Sequence, residues 1–120
     1  MEYNGCFNTV NELVREASEK FGSKYIIDKD KIEKIESLCV NVDALFDEID
    51  CSMIDAIIDE ANKSLTISIF CDEIVFENGR NNTFCGLIKD VDSFLFTKAA
   101  NDVLKIDLIV ADVWREQNIN

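Results

Sequence analysis

Leu65-Thr66-Ile67-Ser68-Ile69 alternates apolar and polar residues without interruption. Successive side chains of a strand point to opposite faces, so this stretch is a strand with one face turned into a core. Downstream, Ile74 and Phe76 occupy the parity of Thr66 and Ser68, so a strand over 64–76 needs a bulge near Cys71 to Glu73 to carry the change of register. Asn78-Gly79 ends it. Upstream, Asp59-Glu60-Ala61-Asn62-Lys63-Ser64 has hairpin-turn chemistry. Residues 53–59 before that turn fit either an edge strand or the end of a helix. The strand is preferred, because a helix running through them would exceed about 30 residues with no cap signal.

The remaining elements follow from periodicity. Phe7, Val10, Leu13, Val14, Ala17 and Phe21 recur at helical spacing, with Asn8 or Thr9 as cap, Glu12 as capping-box partner and Gly22 at the end, giving a helix over about 7–21. Tyr25-Ile26-Ile27 reads as a short apolar connector. A second helix over about 29–49 opens at Asp28 to Lys31 and repeats Ile32, Ile35, Leu38, Val42, Leu45 and Ile49, with a weak point at Val40-Asn41-Val42. Thr83 to Val91 forms a short helix with Phe84, Leu87, Ile88 and Val91 on one side. Phe94 and Phe96 alternate in a strand over about 93–99. Leu104, Ile106, Leu108 and Val110 alternate in a last strand over about 103–113 that ends near Trp114.

Consecutive strands joined by short turns pair antiparallel, and helices entering before the sheet must cover one face of it. The expected class is α+β, a two-layer sandwich. N-terminal helices pack on one face of a mainly antiparallel four-stranded sheet, and a short helix is inserted between the second and third strands. The 120 residues suit one domain, 1–120, and the 48% apolar and 30% charged content is that of a globular chain.

Composition narrows function. With 24 acids against 12 bases the formal net charge is −12, and direct binding of nucleic acid or an anionic membrane needs the opposite balance. There is no histidine, which removes the commonest general base and transition-metal ligand. No membrane-length apolar run and no signal-peptide pattern is present, so the expected location is the cytoplasm. The five cysteines, Cys6, Cys39, Cys51, Cys71 and Cys85, include no C-x-x-C pair and read as reduced thiols serving as small apolar side chains. No glycine-rich phosphate loop or nucleophile elbow occurs, and no cofactor is implied.

The charge is unevenly placed. Residues 1–34 and 80–120 are each net −1, whereas 35–79 hold eleven acids and one base, Lys63. Glu36, Asp43, Asp47, Glu48, Asp50, Asp55, Asp59 and Glu60 all stand between Lys34 and Lys63. These are the candidate partner-binding residues. A row of carboxylates on a rigid scaffold docks on a basic protein surface and occupies sites built for phosphates. The expected function is therefore a small acidic, non-enzymatic protein-binding module, an inhibitor or neutraliser of a basic nucleic-acid-acting partner. The alternative is a stand-alone scaffold or homo-oligomerising domain whose charge serves solubility only.

Other chemistry has thinner support. Asp43, Asp47, Glu48 and Asp50, or Asp28 and Asp30, offer oxygen ligands, but neither set has the spacing or glycine of a calcium loop. Asp72 and Glu73 are adjacent carboxylates that point apart in a strand, and Cys71 beside them is in the wrong field for a thiolate. Phe70, off the core parity, and Trp114 beside Arg115 are candidate interface anchors, with packing under a neighbouring segment the better reading of Phe70.

Overall fold

The computed structural model describes residues 2–5, 12, 15, 19, 25–79 and 82–116. The elements run β1 (Glu2–Gly5), β2 (Tyr25–Ile27), α1 (Lys29–Ile49), β3 (Cys51–Asp59), β4 (Ser64–Asp72), α2 (Glu73–Asn78), α3 (Asn82–Lys89), β5 (Ser93–Ala100), β6 (Val103–Val110) and β7 (Trp114–Glu116). Five strands form one antiparallel sheet in the order β1-β3-β4-β6-β5. The four strands read from alternation are its β3-β4-β6-β5 part, and β1 adds beside β3. The class is α+β, with α1 on the sheet and short helices between β4 and β5. Of the expected helix over 7–21, Glu12, Arg15 and Glu19 are described and helical, and the rest lies outside the described residues.

The alternation of β4 sets the layers. Leu65, Ile67 and Ile69 face Val110, Leu108 and Ile106 of β6 on one side and Ile58, Ala56 and Ile54 of β3 on the other. Side chains opposite one another in a ladder share a face, so these rows make one apolar surface. Onto it α1 lays Ile35, Leu38, Val42, Leu45 and Ile49, all buried and spaced by three, four or seven residues. Each fully buried Leu or Ile contributes about 1.5–3 kcal/mol, so this stripe is enough to hold α1 in place. The helix starts where the Asp28 carboxylate accepts from the backbone N–H of Asp30 and Lys31, and it ends where Asp50 turns left-handed at φ 56°. It runs unbroken through Val40-Asn41-Val42, because Val42 is buried in the core.

The hairpin is as expected. Residues 53–59 belong to a strand, and the turn to β4 closes with Lys63 at φ 53°. Four readings are corrected. The strand over 64–76 stops at Asp72, whose carboxylate accepts from the Val75 N–H and starts α2, so a helix and not a bulge changes the parity of Ile74 and Phe76. The strand over 103–113 stops at Val110, because Asp112 takes φ 54° and sends Trp114 into a separate two-stranded ribbon with β2. Tyr25–Ile27 is thus a strand and not a connector. Trp114 is buried in the core rather than an exposed anchor.

Phe94 and Phe96 have core parity, facing Leu108 and Ile106, yet they are 44% and 40% exposed. β5 is the edge strand, and α3 covers only part of it. Their rings close a cluster with Phe76 and Phe84, at centroid separations of 5.3–5.7 Å. Thr83 Oγ1 donates to Glu48 Oε2 at 2.7 Å, and Asn41 Nδ2 donates to Asp90 Oδ2 at 3.4 Å, tying α3 to the side of α1.

Candidate functional site

On α1 the candidate acids separate by angle. At 100° per residue, Glu36, Asp43 and Asp47 fall within about 40° of one another around the helix axis and span about 17 Å along it, and Asp50 follows at the left-handed C-cap. All four are exposed, on the side away from Leu38, Leu45 and Ile49. Val40 lies beside them and is 68% exposed. Glu48 is exposed but turned toward α3, where it accepts the Thr83 hydroxyl.

The other three candidates are elsewhere. Asp55 is paired with Ser68, on the sheet face away from α1. Asp59 and Glu60 sit at the β3–β4 turn, one strand length or about 30 Å from Asp50. Asp59 accepts from the Asn62 side-chain amide at 2.7 Å and backbone N–H at 3.1 Å, and these bonds hold its carboxyl below the ordinary carboxylate range. Its first task is to shape the turn. The structure therefore brings four of the eight acids together, flanks them with a fifth, and separates three.

The electrostatics of the stripe are lopsided. The last turn of α1 carries no base, while Asp47, Glu48 and Asp50 crowd the end where the macrodipole is negative. Each such carboxylate costs about 0.3–1 kcal/mol at low ionic strength. The Cys39 thiol, at the edge of the stripe, is pushed up by burial and then by the charges of Asp43 and Glu36. Cys51 stands opposite Cys71 across the β3–β4 ladder, and its thiol is pushed up by the hydrogen bond to Cys71 and by burial.

Among the described residues little else resembles a reaction centre. Asp72 is a helix cap, and Glu73 is the first residue of α2 rather than its strand neighbour. Ser68 Oγ donates to Asp107 Oδ1, whose other neighbour is Lys105 Nζ at 3.8 Å, but Ser68 is 1% exposed. That pair satisfies a hydroxyl under the sheet; a carboxylate is a weak base for a serine. Among the described residues no three of His, Cys, Asp and Glu converge in a way that could hold a metal ion, and no helix is long and apolar enough to cross a membrane. The strand-edge exposure of Phe94, Leu95 and Phe96 was not legible from alternation, which gives parity but not strand order. No protein-family model matches this chain, and no curated protein matches it.

Proposed function

We propose that this protein is a non-enzymatic cytoplasmic binding module that docks the outward face of α1 onto a basic protein surface, as an inhibitor or neutraliser of a nucleic-acid-acting partner. The observation that carries the reading is the stripe Glu36, Asp43 and Asp47, aligned on one rigid helix with no base in its last turn and continued by Asp50 at the C-cap. Carboxylates placed against the helix dipole are a local cost in the free protein. A lysine- or arginine-rich surface offsets that cost on binding, so part of the electrostatic gain is stored in the free state. The exposed Val40 supplies an apolar contact at the edge of the charged stripe. Steered association between opposite charges is fast and falls as salt is raised.

The test is affinity capture from lysate, with the recovered partner identified and its binding to purified protein then measured. Reversal of Glu36, Asp43 and Asp47 to Lys, leaving the left-handed Asp50 in place, is expected to weaken binding at least a hundredfold. Asp55→Lys, on the opposite sheet face, is expected to leave it unchanged. A partner held equally by the triple variant overturns the reading and leaves the charge as a solubility device.

A further inference from the structure

We infer that β5 is a self-association edge, pairing antiparallel with β5 of a second copy of this chain about a two-fold axis at Leu95. This does not rest on the α1 reading. β5 ends the five-stranded sheet, and among the described residues only β6 pairs with it. All eight of its residues are exposed, with Leu95 at 57% and Phe94 and Phe96 at 44% and 40%. An edge strand carries a row of backbone N–H and C=O groups free to pair, and proteins blunt such edges with proline, inward charges or bulges. Ser93–Ala100 has no proline and no acid, and its one irregularity lies between Lys98 and Ala100, at the end of the strand.

The sequence of the strand selects a second copy as the occupant, because Ser93-Phe94-Leu95-Phe96-Thr97 reads nearly the same in both directions about Leu95. Two chains of net −12 repel one another, and the absence of acids from β5 makes this edge a place where that repulsion is least. The strand is also complementary to itself. An antiparallel pairing centred on Leu95 sets Phe94 opposite Phe96 of the second copy, twice by symmetry. It sets Lys98 opposite Asp92 of the second copy, again twice. Asp92 uses Oδ2 for the Ala111 N–H and for Lys31, and its side chain remains 39% exposed. Each copy thus supplies the same patch with aromatic, aliphatic and charged rows in register, as an isologous interface requires.

The test is sedimentation equilibrium of the full chain from low micromolar to several hundred micromolar, with three variants. The parent is expected to dimerise. Leu95→Lys sets two ammonium groups face to face across the axis, and is expected to weaken dimerisation about tenfold or more. In the monomer the same lysine faces Asp107 of β6, so folding is expected to be retained. In a Cys85→Ser background, Leu95→Cys is expected to give an oxidised covalent dimer, because directly opposed residues lie within disulfide reach. Thr97→Cys, which this register sets opposite Ser93 of the second copy, is expected not to cross-link. A parent that stays monomeric throughout, or equal cross-linking of the two cysteine variants, overturns the proposal.

Discussion

The outward face of α1 and the outward edge of β5 rest on the same core and offer opposite things to a partner. α1 pairs its backbone groups within the helix, so its outward face offers side chains, and those are acids beside one valine. β5 offers backbone groups and aromatic rings with a single charge, Lys98. The difference teaches that net charge describes this molecule poorly. Binding at α1 should weaken with salt, because it depends on attraction between unlike charges. Pairing at β5 should strengthen with salt, because screening relieves repulsion between two acidic copies and exposed ion pairs such as Lys98–Asp92 add little.

The largest way to break the contrast is to remove the platform under both regions. Ile106→Asp places a carboxylate at a position with no exposure, between Ile69 of β4 and Phe96 of β5. The expected loss is several kcal/mol, against a total of about 5–15, so the variant should be unfolded by far-ultraviolet circular dichroism. Phe84→Ala should discriminate between the regions. It removes the ring that bridges Phe76, Phe94 and Phe96, at an expected cost of about 3 kcal/mol in a urea melt. It should disorder the β5 edge while leaving the α1 stripe able to bind.

Smaller changes sharpen the contrast. Asp43→Asn with Asp47→Asn should raise the melting midpoint at low salt, by roughly 1 kcal/mol in stability, and the gain should vanish in high salt because its source is repulsion among the acids and, for Asp47, the helix dipole. Gly86→Ala should stabilise by about 0.5–1 kcal/mol, since the glycine is inside α3 and an added Cβ would meet the Asn41 side chain at an ordinary 3.4 Å. The pH dependence should also be one-sided at the alkaline end. Cys39 has a folded-state value raised above the unfolded thiol by burial and then by Asp43 and Glu36, so its contribution is complete below about 8.5 and declines as pH rises from there through its folded value, whereas the hydrogen bond between Cys51 and Cys71 raises one thiol and lowers the other. Denaturant midpoints measured from pH 7 to 10 should fall, and less so in Cys39→Ala.

Much of this fold was readable because its central strands obey one strong rule. β4 and β6 are flanked on both sides, so their alternation is forced by burial, and the hairpin between β3 and β4 follows from Asp59 and Asn62. The misreadings fall where the rule is weak. Ile74 and Phe76 alternate, but one turn of helix allows that spacing too, with Ile74 at 54% exposure. The usable signal was Asp72 followed by Glu73, a cap and a first-turn acid. β1 and β2 are four and three residues long, too short for any period to show. For the site, the spacing of Glu36, Asp43 and Asp47 was available as a helical angle. Asp55 and Asp59 could not be excluded from the cluster without the sheet's register. The β5 edge needed strand order, which is a property of the whole fold.

The path between β4 and β6 has a further consequence. Asp72 and Val103 are ladder partners, and the Glu73 N–H donates to the Asp102 carbonyl at 2.9 Å, so residues 73–102 form an excursion that carries the edge strand β5 and closes at its point of departure. The lobe of α2, α3 and β5 can therefore open on its own. Its two ends stay pinned, no slack is asked of β4 or β6, and the layer of α1 on β3, β4 and β6 remains closed. What opening gives up is the β5–β6 ladder together with the burial of Phe76, Phe84 and Leu87. Such a unit is expected to exchange its amide hydrogens at a lower free energy than the central strands β4 and β6. The strand offered to a second copy is then also the first strand released to solvent, and pairing would slow exchange in that lobe before anywhere else.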